Sequence, residues 1–178
     1  MRRAYVNNGG DIALHLAEGN ALTLGVVNNA DNPAIDATVT LTACMPVRGL
    51  ATSGWRGRSQ SLGIADAVTV FAADAAAADA AATMVANAVD VGHPAISRMP
   101  ARALRADSDL GDLPVTVAVG TLPASARAEA LANGRERARE LQQRGLIFAA
   151  YLALQGEMLA VLPATTRVEQ AARRTAGG

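Results

Sequence analysis

The chain has 178 residues, of which 51% are hydrophobic and 18% are charged. This composition is typical of one globular domain rather than of a disordered chain. All 16 basic residues are arginines, and 16 acidic residues balance them. A net charge of zero argues against a general nucleic-acid surface, which needs an excess of basic charge. The apolar stretches are too short for a bilayer span. We therefore expect neither nucleic acid nor membrane as a partner.

Cys44 is the only cysteine, so the chain cannot form an internal disulfide. A free thiol favours a reducing compartment, and we expect the protein to be cytoplasmic. We expect no signal peptide, because the first strand-like segment begins directly after Met1-Arg2-Arg3.

The first half of the sequence predicts short strands with apolar and small or polar residues in alternation. These segments are Ala4–Asn7, Ile12–Ala17, Leu22–Asn28 and Ala37–Ala43. Turn residues separate them at 7–11 and 18–20, which predicts an antiparallel meander. Residues 50–63 are rich in Gly, Ser and Arg and are predicted to form a loop.

The second half predicts strands and helices in alternation. The predicted strands are Asp66–Phe71, Val115–Gly120 and a hairpin of Leu146–Leu154 with Met158–Leu162. The predicted helices are Asp74–Val89 and Ala124–Arg144, and Gly145 is predicted to cap the second of them. The segment Val91–Arg105 is predicted to be irregular. This order predicts an α+β fold. We expect a single domain over residues 1–163 and a polar tail over 164–178.

Two segments of small and polar residues are candidates for a ligand site. In the segment 7–11, Gly9 and Gly10 would let the backbone approach an anion, although a plain hairpin turn explains the same residues. In the segment 52–61, Thr52-Ser53-Gly54 and the arginines 56 and 58 suit a phosphate or nucleotide, although a solvated loop is an equal alternative. Trp55 is either a packing anchor or a stacking platform.

Two further groups offer oxygen ligands. Asp79 and Thr83 are four residues apart on the alanine-rich helix, so their side chains share one helical face and could form part of an Mg²⁺ shell. The alternative is a pair of polar residues that keeps the helix soluble. Asp107, Asp109 and Asp112 could hold a cation, but the segment lacks the pattern of an EF-hand, and turn chemistry is the stronger interpretation.

Taken in order, these segments resemble the ApbE-type FAD:protein FMN transferases. Asn7-Asn8-Gly9-Gly10-Asp11 resembles the family's Asn-x-Gly-Gly-Asp segment, and Thr52-Ser53-Gly54 resembles its Thr-Ser-Gly element. Val68-Thr69-Val70 and the stretch 78–83, Ala-Asp-Ala-Ala-Ala-Thr, resemble its Val-Thr-Val strand and its metal-binding helix. The residues 107–111 and 115–117 resemble an uncharacterised branch of the superfamily.

The resemblance implies a T-fold, with an antiparallel sheet in one layer and helices on one face in a second. It also implies Mg²⁺-dependent transfer of FMN from FAD to a threonine of an acceptor protein. The implied metal ligands are Asp79 and Thr83. The implied flavin-nucleotide site contains Asn7, Gly9, Gly10, Asp11, Thr52, Ser53 and Gly54. No catalytic residue is assigned.

Two departures from the family pattern keep alternatives open. The Lys-Gly-x-Ala segment that precedes the glycine turn in the family has no counterpart here, so we expect an N-terminally short version of the domain. The family's His-Ile-Ile-Asp-Pro stretch is replaced by residues 55–65, which contain no histidine. The alternatives are a catalytically inactive homologue that serves as a ligand-binding or homo-oligomeric assembly module, and a metal-dependent enzyme acting on another phosphorylated small molecule.

Overall fold

The computed structural model describes residues 1–26, 37–57 and 59–163. The predicted tail over 164–178, Arg58 and the predicted end of a strand at Asn28 lie outside these ranges. Ten strands and three helices are present in the described part: β1 (Arg3–Asn7), β2 (Asp11–Leu16), β3 (Ala21–Val26), β4 (Ala37–Thr42), β5 (Gly49–Ser53), β6 (Ala67–Ala72), α1 (Ala75–Ala88), β7 (Ile96–Pro100), α2 (Ala101–Leu104), β8 (Pro114–Val119), α3 (Ala124–Gln143), β9 (Ala149–Leu154) and β10 (Glu157–Val161).

A six-stranded sheet in the order β1-β2-β5-β6-β9-β10 is the centre of the fold. Every neighbouring pair in it is antiparallel. The strands β6 and β9 are buried along their whole length, which explains why both read as apolar runs rather than as alternating segments. The predicted α+β class with an antiparallel sheet is confirmed.

Helices α1 and α3 pack against each other and cover the same face of the sheet. The buried side of α1 consists mainly of alanines, with Val85 among them, so the helix can lie very close to β5 and β6. The buried side of α3 includes Leu131, Ala138 and Leu141. Within the described ranges, no helix combines the length and the apolar character that crossing a membrane requires.

The opposite face of the sheet is covered by the hairpin of β3 and β4, which forms a third layer that the two-layer prediction did not include. Leu41 of this hairpin is buried in a cluster with Leu14, Leu50 and Phe71 from the sheet. The ring of Phe71 meets that of Tyr151 edge to face, with 5.9 Å between the centroids, a favourable geometry for aromatic pairs. The hairpin thus seals the side of the sheet that the helices leave open.

The predicted meander is confirmed for the antiparallel pairs β1–β2 and β3–β4 and is wrong between β2 and β3. Among the described strands, β3 and β4 pair only with each other, and β2 pairs instead with β5, where Ile12 is opposite Leu50. The segment that contains β5 was predicted to be a loop. Its Gly, Thr and Ser residues lower the local preference for a strand, but tertiary contacts override that preference. An ideal Cβ on Gly49 would lie 2.0 Å from the carbonyl carbon of Asp74, so the helix requires this small residue in the strand.

The segment 91–105 was predicted to be irregular, yet it contains β7 and the short helix α2. β7 pairs with β8 as a two-stranded unit, and the register shifts between Ser97 and Arg98. Pro94 and Pro100 obscured the strand because proline normally marks its interruption. In the structure, both prolines lie at or beyond the ends of β7.

The predicted helix ends are confirmed. The side chain of Asp74 caps α1 by accepting a hydrogen bond of 2.8 Å from the backbone amide of Ala77. Gly145 follows α3 with φ of 71°, and its amide donates to the carbonyl of Gln142 over 2.9 Å. A glycine in this conformation ends a helix without the strain that a Cβ would cause.

We predict a pH response from Tyr151, because burial raises the pKa of its phenol. The side chain is 8% exposed. The unfolded chain ionises near pH 10, so stability is unaffected by this group below that value and falls as the pH rises through the higher folded pKa. Absorbance at 295 nm is expected to show one phenol titrating late, and Tyr151→Phe is expected to remove that late step.

Tyr5 provides the control, since it is the only other tyrosine in the chain and is 65% exposed. Tyr5→Phe is expected to leave the late titration in place. If Tyr5→Phe removed the late step instead, the assignment to Tyr151 would be contradicted.

Candidate functional site

The glycine segment forms the tight turn between β1 and β2. Gly9 and Gly10 have φ of 69° and 147°, values that side chains disfavour. The Oδ1 atom of Asn7 accepts a hydrogen bond of 2.9 Å from the amide of Gly9, and the amide of Asn8 donates to the carbonyl of Asp11 over 2.9 Å. Asn7 therefore shapes the turn through its side chain, and both glycines are needed by the backbone geometry.

The Thr-Ser-Gly element lies directly beside this turn. The amide of Thr52 donates a hydrogen bond of 3.1 Å to the carbonyl of Gly10, and Asp11 is paired with Ala51 across β2 and β5. The exposed Thr52 also shares a hydrogen bond of 2.8 Å with the hydroxyl of Thr69 on β6. Two segments about forty residues apart in sequence thus meet at one end of the sheet.

The chain beyond Ser53 folds back tightly over residues 65 and 66. An ideal Cβ on Gly54 would lie 2.5 Å from the carbonyl oxygen of Asp66, so no side chain can replace this glycine without moving the backbone. The amide of Trp55 donates to the carbonyl of Ala65 over 3.0 Å. The Arg56 guanidinium carbon lies 4.7 Å from the centroid of the Trp55 ring. Arg56 therefore occupies one face of the indole.

The predicted metal ligands Asp79 and Thr83 are both exposed on α1. This helix begins above Gly49 and ends above Gly63, where an ideal Cβ would lie 2.1 Å from the carbonyl oxygen of Ala86. It therefore runs in the same direction as β5, toward the end of the sheet that carries the glycine turn. α1 also contacts β2.

The exposed carboxylate of Asp79 and hydroxyl of Thr83 offer oxygen atoms on α1. In the described part of the chain, no three or more His, Cys, Asp or Glu residues are grouped so that they could hold a metal by themselves. Mg²⁺ commonly takes only one or two protein carboxylates and completes its shell with water and phosphate oxygens. One carboxylate and one hydroxyl on an exposed helical face are compatible with that mode of binding.

The acidic segment 107–112 folds as a turn, as the stronger interpretation predicts. The amide of Leu113 donates to the carbonyl of Leu110 over 3.0 Å, and Gly111 has φ of 54°. The carboxylate of Asp112 pairs with Arg102 over 2.6 Å. This carboxylate therefore already has a cationic partner in the fold.

Two residues near the Thr-Ser-Gly element were missed by the sequence analysis. The carboxylate of Asp66 accepts hydrogen bonds from Trp55, Arg56 and the backbone of Gln155. These partners are distant in sequence, so no local pattern could reveal them. A cavity of about 530 Å³ lies elsewhere, between the turn at 18–21 and residues 42–44. None of the predicted site residues lines this cavity.

The chain belongs to the protein family described as AbpE bacteria, whose pattern matches residues 1–160. The match covers all ten strands except the last residue of β10.

Curated relatives occur in methanogenic archaea under the name UPF0280 protein. The chain is 40% identical to the protein of Methanothermobacter thermautotrophicus over 90 residues, which cover 50% of this chain and 34% of the relative. It is 37% identical to that of Methanococcoides burtonii over 91 residues, or 51% of this chain and 37% of the relative. It is 34% identical to that of Methanoculleus marisnigri over 118 residues, or 66% of this chain and 42% of the relative. The matches thus span well under half the length of these relatives.

Proposed function

We propose that this protein binds a flavin nucleotide together with Mg²⁺ and transfers FMN from FAD to a threonine of an acceptor protein. The supporting observation is the hydrogen bond of 3.1 Å from the amide of Thr52 to the carbonyl of Gly10. It joins two segments that each resemble part of the ApbE-type nucleotide site. The flavin, the metal and the acceptor are inferred from that resemblance.

The proposed nucleotide site consists of the glycine turn and the end of β5. Gly9 and Gly10 carry no side chains, so a phosphate could approach the backbone closely. Thr52 and Ser53 add hydroxyl groups that can bind phosphate or ribose oxygens. In this proposal Asn7 and Asp11 orient the turn, and Gly54 lets the chain bend away.

The proposed metal ligands are Asp79 and Thr83. A bound Mg²⁺ would neutralise charge on the pyrophosphate of FAD. The transfer forms a bond between the hydroxyl oxygen of the acceptor threonine and the FMN phosphorus, and it breaks the bond from that phosphorus to the bridging oxygen. AMP leaves with the bridging oxygen, and the proton of the hydroxyl passes to solvent. The chain's own residues would bind and orient the nucleotide for this reaction.

We predict that FAD raises the melting temperature only when Mg²⁺ is present. At a free FAD concentration of about 100 Kd the stabilisation is about 2.7 kcal/mol, which corresponds to a shift of several degrees for a chain of this size. The measurement is a thermal melt with FAD, with Mg²⁺, with both and with neither. The absence of an FAD-dependent shift both with and without Mg²⁺ would rule out the proposal.

Variants of the metal ligands make the test specific. Asp79→Asn and Thr83→Val are expected to abolish the Mg²⁺-dependent shift and to leave the melt without ligand unchanged, because both side chains are exposed. Glu129→Gln is the matched control, since Glu129 is also an exposed carboxylate on a helix and lies outside the proposed site. A metal-dependent shift that survives both substitutions on α1 would show that the metal binds elsewhere.

The second candidate function is a catalytically inactive assembly module, and the edge of the sheet favours it. β1 is an edge strand, and its residues Tyr5 and Val6 are 65% and 71% exposed. Exposed apolar residues on an open strand edge are suited to pairing with another chain. Size-exclusion chromatography with light scattering tests this function. A monomer at all concentrations would count against it.

A nucleotide panel separates flavin binding from the third candidate, a metal-dependent enzyme for another phosphorylated small molecule. Arg56 is exposed beside the Thr-Ser-Gly element and could select an anion other than FAD. If another nucleotide or sugar phosphate stabilised the protein with Mg²⁺ while FAD did not, the third candidate would replace the first.

A further inference from the structure

One carboxylate, that of Asp66, holds the segment that follows the Thr-Ser-Gly element. Its Oδ1 atom accepts hydrogen bonds from Nε of Arg56 over 2.8 Å and from Nε1 of Trp55 over 3.3 Å. Its Oδ2 atom accepts a hydrogen bond of 2.5 Å from the backbone amide of Gln155. The side chain is 13% exposed, so these partners replace most of the water that a carboxylate would otherwise bind.

Gln155, whose amide binds Asp66, has an unusual backbone conformation. Among the described residues, Gln155 is the only non-glycine with a positive φ, at 46°. Gln155 and Gly156 form the two-residue turn between β9 and β10, and such turns strongly prefer Asn, Asp or Gly at the first position. Glutamine is not one of these preferred residues, so other contacts must stabilise it in the positive-φ conformation.

The side chain of Gln155 supplies those contacts. Its Oε1 atom accepts a hydrogen bond of 2.9 Å from the amide of Leu122, and its Nε2 atom donates to the carbonyl of Gly120 over 2.7 Å. The turn is thereby fixed to the segment before α3 and presents its own amide to Asp66. Asp66 is therefore held from two sides, by the turn at 155 and by the pairing of its amide with the carbonyl of Ala153 over 2.9 Å.

The loop that Asp66 holds is the one proposed to contact the nucleotide. Gly54 packs against the backbone of Asp66, and Trp55 and Arg56 are bound by its side chain. Thr52 and Ser53 lie immediately before this fixed point. Pairing with β6 holds Thr52 and Ser53 in place, so a shift of the loop would move Gly54 and the side chains that follow it, at the edge of the proposed nucleotide site.

We infer that Asp66 is a positioning residue for ligand binding: it fixes Gly54, Trp55 and Arg56 at the end of the Thr-Ser-Gly element and is itself anchored by the amide of Gln155. This inference rests on the proposed function for its ligand. Its geometric part, that Asp66 fixes the loop, is independent of the ligand.

The substitution Asp66→Asn tests the inference with little change in shape. Asparagine offers one oxygen and one NH₂ group in place of two acceptor oxygens. It cannot accept from Arg56 and from the amide of Gln155 at the same time, so its NH₂ group would face a donor. We expect FAD affinity in the presence of Mg²⁺ to fall about tenfold or more, since charged hydrogen bonds are the strong ones.

Trp55 supplies a readout that a loss of overall stability would not move. It is the only tryptophan in the chain, so its emission and its quenching by acrylamide report on this loop alone. In Asp66→Asn we expect a shifted emission maximum and stronger quenching at a temperature where far-UV circular dichroism shows the protein fully folded. Glu140→Gln is the matched control, because Glu140 is also ion-paired, with Arg137 and Arg144, but is carried by α3 and has no partner in the loop among these ion pairs. The control is expected to change neither Trp55 emission nor FAD affinity.

The outcomes separate this inference from the proposed function. If wild-type protein binds FAD and Asp66→Asn binds it equally well, the positioning role is wrong and the proposed function stands. If wild-type protein does not bind FAD, the proposed function and the ligand part of the inference are both wrong. Unchanged Trp55 quenching in Asp66→Asn would then overturn the geometric part as well.

A second variant covers the case in which Asp66→Asn does not fold. Trp55→Phe keeps an aromatic ring but removes the Nε1 donor to Asp66. Its FAD affinity, measured by flavin fluorescence anisotropy, is expected to fall several-fold while the melting temperature stays close to that of the wild type. An unchanged affinity would contradict the proposed route through Trp55.

Discussion

Replacing Phe71 by alanine is expected to lower the free energy of unfolding by about 3–5 kcal/mol. Phe71 is 2% exposed and lies on β6 in the middle of the six-stranded sheet. Its ring contacts Tyr151 edge to face and packs in the cluster beneath the β3–β4 hairpin. Alanine would leave a cavity between two layers whose backbones are fixed by hydrogen bonds, so the site cannot collapse easily. Urea denaturation followed by the emission of Trp55 measures the loss.

Phe148 offers a matched control for this substitution. It is the only other phenylalanine, packs against the same cluster and is only partly buried. Phe148→Ala is therefore expected to cost clearly less than Phe71→Ala. Equal losses for the two variants would show that burial beneath the hairpin does not determine the contribution of Phe71.

Replacing Gly49 by alanine is expected to cost about 3 kcal/mol or more, at the upper end of the usual range for overpacking. The added Cβ would lie 2.0 Å from the carbonyl carbon of Asp74 and 2.2 Å from the amide nitrogen of Ala75. Both are backbone atoms at the start of α1, so no side-chain rotation can relieve the clash. The helix would have to move away from β5, and its contacts with the sheet would weaken. Thermal and urea unfolding both measure this effect.

Gly92→Ala is the control for that prediction. An ideal Cβ on Gly92 meets no atom within 4 Å, and the substitution is expected to change stability by less than about 0.5 kcal/mol. Wild-type stability in Gly49→Ala would contradict the close approach of α1 to β5. A destabilised but folded Gly49→Ala is also expected to weaken any Mg²⁺ binding, because Asp79 and Thr83 are carried by the same helix.

The parts of the fold that were predicted correctly have strong local signals. β6 and β9 are mainly apolar, α1 is rich in alanine behind an aspartate cap, and α3 has an apolar stripe that ends before Gly145. Each of these patterns depends only on neighbouring residues. Their existence and type could therefore be predicted without knowledge of their partners.

The parts that were missed depend on contacts between distant residues. Whether β2 pairs with β3 or with β5 depends on where the hairpin finds an apolar surface, and the alternation of residues in β2 is the same in both cases. β5 was missed because its glycine and hydroxyl residues are explained by contacts with α1 and with the glycine turn. These contacts are not visible in the local sequence. The candidate site follows the same division: the Gly-Gly turn was visible in the sequence, whereas Asp66 and Gln155 meet only in the folded chain.

The pairing of β6 with β9 has a consequence for how the protein reaches its folded state. Ala67 is paired with Ala153, so one side of this buried strand gains its neighbour only after β9 has also been made. At a synthesis rate of roughly 5–20 residues per second, β6 leaves the ribosome seconds before β9. During that interval its free edge is open to wrong partners, and the nascent chain depends on α1 and β5 to shield it. Such long-range pairing also places the refolding of the purified chain among slow, millisecond-to-second processes.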